Sequence, residues 1–185
     1  MNTLLEMLLA FGPLNRNELS LLKKNIKQLS LNTDDFYLQA GEISKDIAFI
    51  ETGVLRLFYF DKNGQDFTLQ FLKSKTFIVE TNSFENKIPT SEYIQCLTKS
   101  TLSVLTSEAL FNFSKNISAW NSILGKLLIK IKGDKILGLR YFDEIAPVNK
   151  YLLFKKLNSD IIEILPSAAI ATFLNIPEKF IEIDK

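Results

Sequence analysis

The residue types available for chemistry in this 185-residue chain are limited, because it has no histidine and only one cysteine. Without histidine, Ser-His-Asp and Cys-His catalysis and histidine-built zinc, iron or haem sites are excluded. The lone Cys96 can form neither an internal disulfide nor an iron–sulfur centre by itself, which indicates a reducing compartment. Cys96 is flanked by Ile94 and Leu97, so we interpret it as a buried core thiol. We therefore expect a protein that is not an enzyme and carries no metal or cofactor.

Composition indicates an ordinary globular chain. Hydrophobic residues make up 46% and charged residues 23%, and the formal net charge of +1 gives no overall field towards nucleic acid or membrane. The apolar start, residues 1–12, contains Glu6 and lacks the early basic residues of a signal peptide. No apolar run approaches the roughly 18 residues that span a bilayer. We expect a cytoplasmic protein without a membrane partner.

The elements that must position any site begin with a predicted helix and continue as short strands. Leucine and isoleucine at spacings of three and four predict a helix over residues 15–29. Glycine turns at Gly41 and Gly53 and a hairpin signal at residues 61–64 then separate alternating segments. The predicted strands are 35–39, 46–51, 54–60, 65–72, 91–97 and 101–105. Short antiparallel strands with glycine turns predict a β-roll or jelly roll.

The second half of the sequence predicts helices. A long helix over about residues 117–143 carries an apolar seam, which we expect to form a homodimer interface: Trp120, Leu124, Leu127 and Ile131. A second apolar set is expected to pack on the roll: Ile123, Leu128, Ile136 and Leu137. The end of the chain predicts helices over 148–157 and 167–174, the second capped by Ser167, and a short helix from Glu178 after a turn. This order is typical of a helix-turn-helix.

This order of elements resembles the cyclic-AMP-receptor/FNR family of bacterial transcription regulators over about residues 14–183. Ala40–Glu42 is similar to the family's first turn, and Ile50–Arg56 resembles its I-x-x-G-x-x-R motif. Residues 77–98 align with the phosphate-binding cassette, and Ile170–Ile176 resembles I-A-x-x-L-G-I of the DNA-binding motif. The resemblance implies an α+β fold whose antiparallel β-roll follows N-terminal helices and precedes a dimerisation helix and a helix-turn-helix-like domain. The implied divisions are 1–116, 117–145 and 146–185.

The cassette positions of the family imply how an effector would be held. Members that bind a cyclic nucleotide use a glycine at the phosphate, a glutamate at the ribose and an arginine–serine pair for the phosphate charge. The aligned residues here are Val79, Glu80, Thr90 and Ser91. Thr90 offers phosphate no positive charge, and Val79 adds a branched side chain where glycine allows close approach. We predict that cyclic AMP and cyclic GMP bind weakly or not at all, and an unidentified small-molecule effector stays open.

The resemblance places the DNA-recognition helix at residues 178–185, where family members present a serine and arginines. Ile181, Glu182 and Asp184 stand at those positions, and the run holds two positive and three negative side chains. Carboxylates repel phosphate, whereas DNA binding releases counterions through cations. The residues left for DNA contact are Thr172, Lys179 and Lys185. We therefore predict weak DNA binding.

Two functions stay open from the sequence. The first is a regulator with an unidentified effector and weakened DNA binding, and the second is a dimeric regulator-derived interaction or small-ligand-sensing protein that no longer binds DNA. A jelly roll also permits a cupin-type enzyme, but such enzymes usually hold their metal with histidine. Basic residues along the long helix are interpreted as a solvated face: Lys126, Lys130, Lys132, Lys135 and Arg140.

Overall fold

The computed structural model describes residues 2–182, apart from the side chains at positions 2, 139, 148 and 182. Two helices open the chain, α1 (Asn2–Leu9) and α2 (Arg16–Asn25). The Asn15 side chain accepts the N–H of Glu18 at 3.0 Å, and the Glu18 carboxylate accepts the N–H of Asn15 at 2.7 Å. This capping box fixes the start of α2. The predicted helix over 15–29 is too long, because residues 26–29 belong to a strand.

Eight strands form the roll. They are β1 (Ile26–Leu31), β2 (Phe36–Leu38), β3 (Ile47–Thr52), β4 (Leu55–Phe60), β5 (Asp66–Leu72), β6 (Phe77–Ile78), β7 (Glu92–Cys96) and β8 (Ser100–Leu105). They make two four-stranded antiparallel sheets, ordered β1-β8-β3-β6 and β2-β7-β4-β5. Ala48, Ile50 and Leu55 are fully buried between the sheets. The predicted antiparallel roll is confirmed; β1 was missed because pairing with β8, ~75 residues away, overrides its helical spacing.

Turns of the roll follow the glycine signals. Gly53 has a φ of +105°, and a methyl group at its Cα would stand 2.8 Å from the Ser100 Cα. The hairpin between β4 and β5 is confirmed, with Gly64 at a φ of +82°. The Asp61 carboxylate accepts the N–H groups of Asn63 and Gln65 and so closes this turn.

Three further helices surround the roll: α3 (Thr81–Asn86), α4 (Ser107–Asn116) and the long α5 (Trp120–Arg140). The Trp120 ring meets the Phe113 ring edge-on at 4.9 Å, and Trp120 and Leu127 are each 1% exposed. These two residues of the expected dimer seam therefore pack within their own chain. Ile136 and Leu137, expected on the roll, are 52% and 68% exposed. Helical spacing shows which side chains share a face, but it does not show which surface covers that face.

The C-terminal unit comprises α6 (Pro147–Leu157), a 3₁₀ turn (Ile162–Ile164), α7 (Ser167–Leu174) and α8 (Lys179–Glu182). Pro147 occupies the first helical position of α6, where its missing N–H is tolerated. The buried Lys150 ammonium donates to the Leu174 carbonyl at 3.1 Å, which satisfies the end of α7. Ser167 does not cap α7 as predicted, because its hydroxyl donates instead to the Glu178 carboxylate at 2.6 Å.

Candidate functional site

The pocket at the cassette is a cavity of about 20 Å³. Its walls come from β4 to β7, the start of α3 and the middle of α5. The lining residues are Leu57, Gln70, Leu72, Phe77, Ile78, Val79, Glu80, Thr81, Ile94, Ile131 and Lys135. Such a volume holds little more than one water molecule. The roll is therefore closed at the place where the family resemblance implies an effector.

Glu80 is buried and caps α3. Its two carboxylate oxygens accept the N–H of Asn82 at 3.0 Å and the N–H of Ser83 at 2.7 Å. The donors that begin α3 are thus satisfied by the chain itself, and an anion brought to this point would meet a carboxylate. Val79 beside it is buried in the core between the roll and α5.

The other two cassette positions serve the turn before β7. Thr90 is buried, and its hydroxyl accepts the N–H of Glu92 at 3.0 Å. The Thr90 backbone pairs with Gly41 and Glu42 through two hydrogen bonds of 2.8 Å. Ser91 is exposed. The structure thus brings Val79 and Glu80 to the cavity, while the polar groups of Thr90 are used in local structure.

The sequence analysis missed an ion pair beside the cavity, to whose lining Lys135 belongs. The Lys135 ammonium of α5 lies 2.6 and 2.8 Å from the two carboxylate oxygens of Glu92 on β7. Both side chains are largely buried, at 24% and 17% exposed. Burial raises the pKa of the Glu92 carboxyl, Lys135 opposes the rise, and the charge of Glu80 adds to it. No sequence rule joins two residues 43 positions apart, so only folding reveals this pair.

Three of the basic residues expected on a solvated face of α5 are exposed, namely Lys126, Lys130 and Arg140, whereas Lys132 and Lys135 are partly buried. Lys132 forms an ion pair with Glu85 of α3, and Lys130 pairs with Asp134 at 2.6 Å one turn along α5. The Lys126 ammonium donates to the Phe11 carbonyl at 3.0 Å. Of these contacts, the Lys132–Glu85 and Lys135–Glu92 pairs join α5 to the cassette segment, residues 77–98.

The residues aligned with the DNA-contacting positions of the family differ in their exposure and in their hydrogen bonds. The Thr172 hydroxyl donates to the Ala169 carbonyl at 3.1 Å and accepts the Thr68 N–H of β5 at 3.2 Å. Lys179 is exposed. Lys185 and Asp184 lie outside the described residues, as does the Glu182 side chain. Ile181, aligned with the family's serine, is 1% exposed and belongs to the C-terminal core.

Comparison with protein families shows which known domain the roll is similar to. Residues 28–116, from β1 to the end of α4, match the family model of the cyclic nucleotide-binding domain. This segment therefore resembles a cyclic nucleotide-binding domain. It spans just under half of the chain and includes every cassette position named above.

Solved structures share the fold of the cyclic nucleotide-binding domain with its C-terminal helices, at low sequence identity. A transcriptional regulator of the crp/fnr family from Eubacterium rectale matches with a TM-score of 0.71 at 14% identity, covering 92% of this chain and 81% of its own. The c-di-GMP-responsive global regulator CLP of Xanthomonas campestris matches with a TM-score of 0.70 at 10% identity, covering 91% and 89%. FixK2 of Bradyrhizobium japonicum matches with a TM-score of 0.67 at 10% identity, covering 85% and 81%. No curated protein matches the sequence. The predicted resemblance to cyclic-AMP-receptor/FNR regulators is confirmed at the level of the fold.

The long helix α5 has an apolar face that no other described part of the chain covers. Ile129 and Ile136, seven residues apart, are 72% and 52% exposed. Gly125 and Gly133 stand beside them, and a methyl group added at either would meet no heavy atom within 4 Å. A seven-residue apolar spacing is the spacing of a helix–helix seam. The half-buried Leu124 and Ile131, named in the expected seam, pack at the edge of the chain's own core.

Metal and thiol chemistry find no support in the described part of the chain. Among residues 2–182, no group of three or more acidic, cysteine or histidine side chains is placed to hold a metal ion. Cys96 is fully buried, and burial raises the pKa of its thiol. None of the helices described is long and apolar enough to cross a membrane.

Proposed function

We propose that the chain is a cyclic-AMP-receptor/FNR-like transcription regulator that acts as a homodimer, with an unidentified effector and weakened DNA binding. The observation that carries the proposal is the joining of a cyclic nucleotide-binding-like domain to a long helix and a helix-turn-helix-like pair, with the cassette cavity reduced to about 20 Å³. The division at 1–116, 117–145 and 146–185 is supported by the end of α4, the extent of α5 and the start of α6. A cytoplasmic location and the absence of enzyme activity belong to the same proposal.

The cassette supports an effector other than a cyclic nucleotide. A phosphodiester would need a cation, yet the Lys135 ammonium is already neutralised by Glu92 and the capping site of α3 holds Glu80. Losing a charge-assisted contact weakens binding by about 1.5–3 kcal/mol, or roughly ten- to a hundredfold. Calorimetry with cyclic AMP and cyclic GMP is expected to show no micromolar binding, and micromolar binding of either would contradict this part of the proposal.

Weak DNA binding is supported by the state of the candidate contacts. Direct base readout uses donors such as arginine, asparagine and glutamine, and residues 178–185 contain none of them. The Thr172 hydroxyl is committed to β5, which leaves Lys179 and Lys185 as the cations near phosphate. Two lysines beside three carboxylates give little net attraction.

Fluorescence anisotropy with the chain's own upstream DNA, at about 50 mM and about 200 mM salt, tests the proposal. Weak, salt-sensitive binding is expected, and Glu182→Arg with Asp184→Arg should strengthen it and steepen its salt dependence. Ile181→Ser, which would imitate the family's serine, is expected to destabilise the C-terminal unit because Ile181 is buried. Nanomolar, sequence-dependent binding by the unmodified protein at physiological salt would refute weakened binding.

The second candidate is an interaction or ligand-sensing protein that no longer binds DNA. The observation that favours it is the hydrogen bond from the Thr68 N–H to Thr172, which holds the helix-turn-helix-like pair on the roll. The same titration separates the two candidates. If the Glu182→Arg and Asp184→Arg variant also fails to bind DNA at low salt, the second candidate replaces the first.

A further inference from the structure

A second and much larger concavity lies where the roll, α5 and the C-terminal unit meet. Its volume is about 440 Å³, which lies within the range of roughly 300–1,000 Å³ that small-molecule sites occupy. Five aromatic rings form its walls: Phe71, Tyr141, Phe142, Phe154 and Phe173. The Phe71 ring centroid lies 5.5 Å from that of Phe173 and 5.7 Å from that of Phe154. We name this concavity the aromatic cleft.

Solvent-exposed side chains with large apolar surfaces surround the opening of the aromatic cleft. Leu137 is 68% exposed, Tyr141 57% and Leu157 50%. Gly138 forms part of the wall, and a methyl group added there would meet no heavy atom within 4 Å. Exposed apolar side chains gathered around a concave site mark a binding surface. The missing side chain at Gly138 keeps the space open.

The charge of the lining selects the kind of ligand. Asp134 is the one charged residue among the lining residues, and its carboxylate pairs with Lys130 at 2.6 Å. The other polar side chains of the lining are the amides of Gln70 and Asn158 and the Tyr141 hydroxyl. Because Lys130 neutralises Asp134, the lining offers an anion no unpaired cation, whereas its carboxylate and amide oxygens offer acceptors to a neutral hydrogen-bond donor. A flat aromatic ring would pack against the accessible faces of the aromatic side chains in the lining.

We propose that the aromatic cleft binds a neutral aromatic small molecule, with its rings against the accessible faces of Phe71, Tyr141 and Phe173 and a hydrogen-bond donor facing Asp134. Such a ligand would touch β5 of the roll, the end of α5, α6 and α7 together, and would thereby fix the C-terminal unit on the roll. The role of this ligand as the effector rests on the proposed function. Its binding does not, because no DNA contact enters the argument.

Two dyes with the same ring system test the proposal on the full chain. N-phenyl-1-naphthylamine is neutral with one N–H donor, and 8-anilinonaphthalene-1-sulfonate adds a negative charge to the same rings. We expect saturable binding of the neutral dye, one molecule per chain, at least about tenfold tighter than that of the sulfonate. Asp134→Asn should narrow this difference, because it removes the carboxylate that neutralises the Lys130 ammonium and so leaves a cation near the sulfonate.

The site itself is tested by filling it. Gly138→Leu places a side chain in the aromatic cleft and should weaken the neutral dye at least about tenfold, while the melting temperature stays the same or rises because glycine is a poor helix former. Phe60→Ser is the control, since it removes a ring 49% exposed on the roll away from the aromatic cleft. Dye binding that survives Gly138→Leu, or that is lost in Phe60→Ser, overturns the proposal.

The other occupant of such a surface would be a second copy of the chain. Dye binding measured across a dilution series, alongside sedimentation, separates the two. Binding that appears only as the dimer dissociates would show that the partner chain covers the aromatic cleft, and the proposal falls. Dye binding by a chain that binds no DNA would support the aromatic cleft as a ligand site and would contradict the transcriptional role.

Discussion

At the scale of single residues, left-handed backbone is shared by Gly41 and Gly53, but their surroundings differ. Gly41 has a φ of +89° and open space around its Cα, whereas Gly53 is packed against the backbone of Ser100. A side chain at either position destabilises the folded state by about 1–2 kcal/mol, because a positive φ is unfavourable for residues other than glycine. Only at Gly53 does a side chain also collide with a neighbouring strand.

Gly53→Ala is therefore expected to destabilise the chain by about 2–5 kcal/mol, the sum of the backbone term and of overpacking of about 1–3 kcal/mol. Gly41→Ala is the matched control and should lower the free energy of unfolding by about 1–2 kcal/mol. Urea denaturation of both variants measures the difference. Equal losses would show that the contact with Ser100 is relieved by a small backbone shift.

Glu92 predicts a pH dependence with a definite sign. Its pKa is higher in the folded chain than in the unfolded chain, so over some pH range only the folded state holds the proton. The stability that Glu92 contributes is thus present in full at pH values below its ordinary pKa of 4.5 and declines as pH rises through the raised pKa. Acidification protonates Glu92 and opens its ion pair with Lys135 without destabilising the fold through this group.

The test is urea denaturation at a series of pH values. Glu92→Gln should remove this part of the pH dependence, so that the variant gains stability relative to the wild type as pH rises. Lys135→Met should steepen the dependence, because it removes the cation that opposes the rise in the pKa of Glu92. A Glu92→Gln profile parallel to that of the wild type would contradict this account.

At the scale of elements, the contact between α7 and β5 decides whether the helix-turn-helix-like pair is free. The Thr172 hydroxyl accepts the Thr68 N–H at 3.2 Å, and Lys73 of the loop after β5 pairs with Asp160 at 3.0 Å. The ion pair is exposed and contributes little. The hydrogen bond satisfies a partly buried backbone donor and contributes more.

Thr172→Val keeps the shape of the side chain and removes the acceptor, so it should destabilise the interface by about 1–3 kcal/mol. Hydrogen exchange of the β5 and α7 amides measures the effect locally. Thr172→Ser retains the hydroxyl and should keep most of the wild-type protection. Equal exchange in the valine variant and the wild type would show that packing of Phe71 and Phe173 alone holds the two elements together.

At the scale of the whole molecule, α5 has one apolar face packed in the chain's own core and another that is exposed. Trp120 and Leu127 belong to the core that the roll forms with α1, α2 and α4, whereas Ile129 and Ile136 are exposed. The homodimer therefore remains a prediction, and its seam moves to the face of Ile129 and Ile136.

Ile129→Glu is expected to dissociate a dimer while leaving the monomer folded, because a charge would be buried without a partner only in the seam. Phe111→Glu on α4 is the matched control, since Phe111 is also exposed, at 62%, and lies on another helix. Leu127→Glu should instead destabilise the monomer. Analytical ultracentrifugation at micromolar concentration gives the answer, and a monomeric wild type would reject the dimer.

The sequence by itself determined the local order of this protein. The alternation of 54–60 and 65–72 and the turn at Gly64 predicted the β4–β5 hairpin, and the spacing of apolar residues predicted α5 and α7. The absence of histidine limited the chemistry before any fold was known. These features depend on neighbours within a few residues, which a linear chain already specifies.

Only the tertiary structure decided which surfaces and charges meet. It paired Ile26–Leu31 with β8 rather than extending α2, buried Trp120 against Phe113, and joined Lys135 to Glu92. It also closed the cassette cavity and opened the aromatic cleft between elements far apart in the chain. The spacing of apolar residues and their secondary-structure propensities show which side chains share a face. Burial, ion pairing and cavity volume depend on the element that packs against that face.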